Sequence, residues 1–248
     1  MTANINVTNP ERKKRVLLVA ANPATSPQTG WPVGFWWAEL THPFFVFEEA
    51  GYEIEIRSPD GGALQADGFS DPEDESGYSA HDFVSRGFKH SEQHARLLTD
   101  TKSIADANPD DFDAVFLVGG QSPMVTFANN EAVHDLVTRF FEAGKITAVV
   151  CHATSVLLEA RTSAGELLVK GKTWTGFADA EEKFADDFVG QKIQPFWIEE
   201  RARALPDTNF VVGPAFREFA IRDGRLITGQ QQFSGAAAAR LVVEALGR

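Results

Sequence analysis

Ile146-Thr-Ala-Val-Val150 is a continuous apolar run of strand length, and Cys151-His152-Ala153 follows it with no turn residue between. A short run that is apolar at every position suits a parallel strand buried on both faces. From about Ala153 to Arg161 the spacing becomes helical. The chain therefore passes from strand to helix at Cys151, and in open α/β sheets ligands bind beyond the carboxyl ends of strands. The pattern repeats outward from this point. Upstream, Phe112 to Val118 reads as a strand closed by Gly119-Gly120, and Asn130 caps a helix from Glu131 to Ala143 that Gly144 stops.

Farther upstream, Arg15 to Ala21 is another buried strand, and Trp31 to Ala50 carries helical spacing that ends at Gly51. Tyr52 to Arg57 alternates like a strand and ends in the turn residues Ser58-Pro-Asp-Gly-Gly62. Downstream come Thr173-Trp-Thr175, helical stretches from Ala178 to Phe188 and from Pro195 to Leu205, a hairpin over Phe219 to Thr228 turning at Asp223-Gly224, and a helix from Phe233 to Leu246. Strands alternating with helices predict an α/β fold, a mostly parallel sheet with helices on both faces and right-handed crossovers. Residues 1–14 read as a loose polar tail and residues 15–248 as one domain. Leu64 to Thr101 is the least regular stretch and reads as an insertion or cap, with an acidic loop at Asp71 to Glu75 and one or two helices between His81 and Leu98 broken near Gly87.

The composition narrows the function. The 248 residues carry a net charge of −12, which repels a phosphate backbone and argues against nucleic-acid binding as a primary role. No apolar run reaches the roughly 20 residues needed to span a bilayer. The first residues lack the apolar core of a signal peptide. A single cysteine forms no intrachain disulfide and fits a reducing compartment, so the cytoplasm is the expected location.

Cys151 is the first candidate for chemistry. A thiol at a strand–helix corner resembles a nucleophile elbow, and a helix N-terminus favours the thiolate. The plainer alternative is a buried structural cysteine. His152, adjacent in sequence, either activates the thiol or satisfies a hydrogen bond at the helix start. Glu39 lies in the aromatic stretch Trp36-Trp-Ala-Glu-Leu-Thr-His-Pro43, where desolvation would favour its neutral form and suit a proton shuttle; otherwise it lies on a wet helix face. Gly119 and Gly120 let backbone N–H groups approach a ligand as an oxyanion site, or simply make a tight turn. His90 and His94, four apart, would share a helix face, but with His81 they lack a full ligand set and read as solvated histidines rather than a metal site.

These pieces, in this order, resemble the ThiJ/PfpI superfamily, and most closely its branch of glutathione-independent class III glyoxalases and related heat-shock chaperones. The resemblance rests on Gly34 to Pro43, Ala50-Gly51, Ser58 to Gly62, Phe116 to Gly120, Ala148 to His152, Leu168 to Lys172, Thr175 to Phe177 with Glu181-Glu182, and Asp223 to Gly229. It implies a flavodoxin-like sheet with Cys151 on the elbow. It makes Glu39 the carboxylate that contacts the thiol, His152 the third member of the site, and Glu182 the acidic residue that orients it. It also implies a homodimer and no cofactor. Two positions depart from the pattern: Gln121 stands where similar proteins carry His, and Ala153 where they carry Gly. Gly119, Gly120, Gln121, Ala153 and Glu182 are thus the expected oxyanion and substrate-binding residues.

The activity so implied converts a methylglyoxal-type 2-oxoaldehyde into a 2-hydroxy acid, a lyase reaction on a small carbonyl that uses neither glutathione nor metal. Other readings stay open: a cysteine hydrolase or hydratase of an amide, ester or isonitrile, a holding chaperone presenting an apolar patch, or an oxidation sensor at Cys151.

Overall fold

The computed structural model describes residues 12–247. The proposed tail therefore falls largely outside the described residues; at its end, the Glu53 N–H donates to the Lys14 carbonyl (2.8 Å).

Among the described residues, eleven strands and eight α-helices follow the chain. β1 (Arg15–Val19) leads into a short antiparallel pair, β2 (Ala24–Thr25) and β3 (Pro32–Val33), and then α1 (Trp37–Glu49) and β4 (Glu53–Ser58). α2 (Phe83–His90) and α3 (Glu92–Ala95) precede β5 (Lys102–Ser103), β6 (Ala114–Leu117), α4 (Pro123–Thr126), α5 (Glu131–Glu142) and β7 (Ile146–Val150). β8 (Thr173–Trp174), α6 (Asp179–Val189), α7 (Ile198–Arg203) and β9 (Asn209–Phe210) come next, then β10 (Ala220–Asp223), β11 (Leu226–Gly229) and α8 (Gly235–Leu246).

The main sheet has seven strands in the order β10-β11-β7-β6-β1-β4-β5. Every neighbour pairs in parallel except β10 with β11. That exception is the hairpin expected at Asp223-Gly224, and Asp223 stands opposite Leu226. β1, β6 and β7 are buried almost throughout, as continuous apolar runs require of strands covered on both faces. α1 packs on α8 on one side of the sheet, and α5 packs on β6 and β7. This is the flavodoxin-like, mostly parallel sheet expected. The chain order reverses between β1 and β6, which opens a crevice at the carboxyl ends of the strands beside β7.

Several local expectations need correction. The helix expected from Trp31 begins only at Trp37, because Pro32 and Val33 pair with Ala24 and Thr25 instead. Gly87 does not break the helix that carries it. The break falls at Ser91, whose extended backbone separates α2 from α3. His90 and His94 therefore do not share a helix face. His90 pairs with Glu73 at the surface, while His94 is half-buried against Phe44, Phe45 and Phe88 and is not a solvated residue. Asn130 caps α5 through Ala132 and Val133, and Gly144 adopts the positive φ of a helix stop, both as read.

Candidate active site

The register of β6 on β7 sets Leu117 opposite Val149, so that two residues later Gly119 comes alongside Cys151. Cys151 has φ +55°, a left-handed conformation that costs a non-glycine residue on the order of 1–3 kcal/mol. The surroundings hold it there: the Thr154 hydroxyl donates to the Cys151 carbonyl at 2.6 Å, and residues 151–158 are all buried. The segment that follows is a 3₁₀ helix over Cys151–Leu158 rather than the α-helix expected from Ala153 to Arg161. Local bonding by hydroxyls such as that of Thr154 competes with the α pattern.

The elbow needs both glycines. A Cβ on Gly119 would fall 2.2 Å from Glu39 Oε2 and 2.6 Å from Cys151 Cβ. A Cβ on Gly120, whose φ is +117°, would strike the Gly34 carbonyl oxygen and the Trp36 nitrogen, each at 2.6 Å. Glu39 and Cys151 thus meet across the bare face of Gly119. Ala153 is fully buried at the same corner.

Glu39 lies in the first turn of α1 and is fully buried, not on a wet face. Neither carboxyl oxygen has a hydrogen-bond partner of ordinary geometry. The Cys151 thiol and the Gly119 N–H lie near enough to favour its anion, as does the charge of His152, but burial outweighs them. The carboxyl is pushed up to about 8. The helix N-terminus favours a carboxylate, an effect of roughly 1 kcal/mol at most in exposed settings, and here it is overridden. The thiol is also pushed well above its usual range, first by burial and then by the Glu39 charge, although the N–H groups of His152 and Gly120 act against this. The expectation that a helix dipole alone would favour the thiolate is therefore corrected. Two anions this close cannot coexist, so the pair carries one negative charge at most until high pH.

On the other side of the thiol, His152 Nδ1 lies 3.5 Å from Cys151 Sγ. Its Nε2 is 3.0 Å from Glu182 Oε1, and Phe177 stacks on the ring with centroids 4.1 Å apart. Burial lowers the imidazole, but the Glu182 carboxylate, helped by the charges of Glu39 and Asp67, outweighs it and raises the value. The structure brings together Glu39, Cys151, His152, Glu182, Gly119, Gly120, Gln121 and Ala153. Gln121 turns a side-chain oxygen with no protein partner into a buried position, and lines the same cleft as Cys151.

Sequence reasoning missed Asp67. Only 2% exposed, it accepts hydrogen bonds from the Gly34 N–H (2.8 Å) and the Gln121 N–H (2.7 Å), and so ties the irregular 64–101 stretch to the double-glycine loop. Burial, against these two N–H groups, pushes its carboxyl up to about 7. In sequence, Ala66-Asp67-Gly68 reads as an ordinary turn. Among the described residues, no group of three or more His, Cys, Asp or Glu is placed to hold a metal ion, and no helix is long and apolar enough to cross a membrane.

Comparison with known proteins agrees with this geometry. The probable glutathione-independent glyoxalase hsp3103 of Schizosaccharomyces pombe is 27% identical over 94% of this chain and 99% of its own length. Glyoxalase 3 of Candida albicans is 26% identical over 94% of this chain and 98% of its own. The solved structure of the 24-kDa rapid encystment protein of Francisella tularensis shares the fold with a TM-score of 0.83, at 23% identity, over 95% of this chain and all of that one. The model of the DJ-1/PfpI family matches residues 34–245, which include the elbow and every carboxylate around it, and the chain belongs to that family.

Proposed function

We propose that the chain is a cysteine-dependent, glutathione-independent glyoxalase that converts 2-oxoaldehydes to 2-hydroxy acids. The observation that carries this reading is a buried carboxyl without a bonded partner, Glu39, set against a thiol at a strained strand end. A buried polar group left unpaired costs roughly 1–3 kcal/mol, so its retention is better explained by proton transfer than by stability. The names of the relatives at 26–27% identity agree with the same reading.

The reactive form has lost one proton from the Glu39–Cys151 pair. The Glu39 carboxylate accepts the thiol proton as sulfur bonds to the aldehyde carbon. The backbone N–H groups of Gly120 and His152, which face the sulfur, stabilise the new oxyanion. Glu39 returns the proton to that oxygen, giving a neutral hemithioacetal. As a carboxylate again, it removes the hydrogen on the same carbon while the His152 imidazolium protonates the neighbouring ketone oxygen. The resulting enediol accepts the proton from Glu39 at the former ketone carbon and returns its other hydroxyl proton to His152. The product is a thioester, and water hydrolyses it to release the 2-hydroxy acid and the thiol. One carbon is oxidised and its neighbour reduced, so no outside electron carrier takes part.

In the same reading, residues 64–101 cap the cleft, to which they contribute Phe69 and Tyr78, the working unit is a homodimer, and the location is cytoplasmic. The test is methylglyoxal consumption with lactate detection for the wild type and Cys151→Ser. Lactate from the wild type alone supports the reading. A wild type inert toward methylglyoxal and phenylglyoxal alike, whose Cys151 still reacts rapidly with a thiol probe, sinks it and points to the amide, ester or isonitrile alternative.

A further inference from the structure

Cys151 lines a cleft that offers about 90 Å³ to the centres of water-sized molecules and about 700 Å³ when the space open to solvent at its mouth is included. Much of its wall is aromatic. Trp36 meets Tyr78, and Tyr78 meets Phe69, in edge contacts. Phe184 stacks on Phe188 and meets Phe216, and Phe69 joins the two groups through Phe188. Phe184 and Phe188 are 53% and 65% exposed, so this wall reaches the mouth as bare apolar surface on α6. Its polar groups are few. His152 and Glu182 engage each other, Gln232 donates to the Tyr78 hydroxyl (3.1 Å), and among the described residues no Lys or Arg lines the cleft.

A methyl group is a poor match to this lining, because it leaves most of the aromatic wall wet. A ring or branched alkyl group would cover it, with edge and face contacts of the kind aromatic pairs favour. An anionic substituent would find only the His152 imidazolium there, which Glu182 already pairs.

We propose that the preferred substrates are 2-oxoaldehydes carrying an uncharged aromatic or bulky apolar substituent, held between Phe69 and Tyr78 on one hand and Phe184 and Phe188 on the other. The proposal rests on the glyoxalase reading and names its substrate class. The chemistry is unchanged. The aldehyde carbon gains an oxygen from water and becomes the carboxyl, the ketone carbon gains a hydrogen and becomes the carbinol, and atoms and electrons balance within substrate plus water. Gln121 Oε1 accepts a hydrogen bond from the carbinol or enediol hydroxyl.

The test compares kcat/KM for phenylglyoxal, read as mandelate, with that for methylglyoxal, read as lactate, in the wild type, Phe188→Ala and Phe188→Leu. The larger apolar group should raise kcat/KM by roughly tenfold or more. Phe188→Ala should narrow the preference by about fivefold, and Phe188→Leu should restore part of it. Because Phe188 is exposed, its loss should leave the fold intact, which circular dichroism checks. Equal or better use of methylglyoxal overturns the substrate class and leaves the glyoxalase reading standing. So does a Phe188→Ala variant with the preference unchanged. Turnover of neither aldehyde overturns the glyoxalase reading and the substrate class with it.

Discussion

The first turns of α1 and α6 each present a buried glutamate to the same Cys151–His152 pair, and the two are treated differently. Glu182, on α6, is bonded to His152 at 3.0 Å. Glu39, on α1, has no hydrogen bond of ordinary geometry at either oxygen, and only the Cys151 thiol and the Gly119 N–H lie near it. A partnered carboxylate fixes a charge and orients a ring, whereas an orphaned one keeps a proton that is easily lost and regained. The contrast assigns Glu182 to holding His152 and Glu39 to moving protons.

The largest expected effect lies on the α1 side. Glu39→Gln keeps shape and removes the proton carrier, so lactate formation should fall by roughly a thousandfold, within the range for loss of general acid–base catalysis. Glu182→Gln should cost less, roughly tenfold to a hundredfold, because the imidazole stays but loses the charge that holds its proton. Its clearest sign would be a pH–rate profile in which the His152 limb moves to lower pH. Equal losses in the two variants would erase the distinction between the two turns.

Stability offers a second test on the α1 side. In the unfolded chain Glu39 ionises near 4.5, whereas in the folded protein it holds its proton to about 8. The folded state therefore binds more protons between these values, and stability falls as pH rises through that window. Glu39→Gln escapes this loss. Its Tm relative to wild type should rise from pH 5 to pH 8 and then level off, and a constant difference would count against the buried, protonated Glu39. A smaller effect belongs to Asp67, which ties the segment before α1 to the Gln121 loop. Asp67→Asn leaves one of two buried N–H groups facing another donor, at roughly 1–3 kcal/mol. The variant should melt a few degrees lower, with KM raised more than kcat is lowered as the Gln121 loop loosens.

Much of this site could be read in the sequence, and the physical reason differs by residue. The strand before Cys151 is legible because full burial leaves an unbroken apolar run. Gly119-Gly120 is legible as a turn, but its necessity is not, since the atoms a Cβ would strike come from Gly34 to Trp36, from Glu39 and from Val150-Cys151, all distant in sequence. Helical spacing alone cannot say whether Glu39 faces core or solvent, because it sits among aromatics on every side. Its place was implied by family resemblance and then seen in the fold. Asp67 gave no signal, because its two partners are 33 and 54 residues away and lie in loops. The 3₁₀ segment after Cys151 escaped because its spacing suits an α-helix equally well, and the Thr154 hydroxyl bond that competes with the α pattern shows only in the fold.

The central claim is that Glu39 is the proton carrier for a nucleophilic Cys151. Its most direct test follows Glu39→Gln by two readouts together, lactate formed from methylglyoxal and iodoacetamide labelling of Cys151. The account predicts a folded variant whose thiol is still alkylated and which makes almost no lactate. Lactate production at the wild-type rate would contradict it.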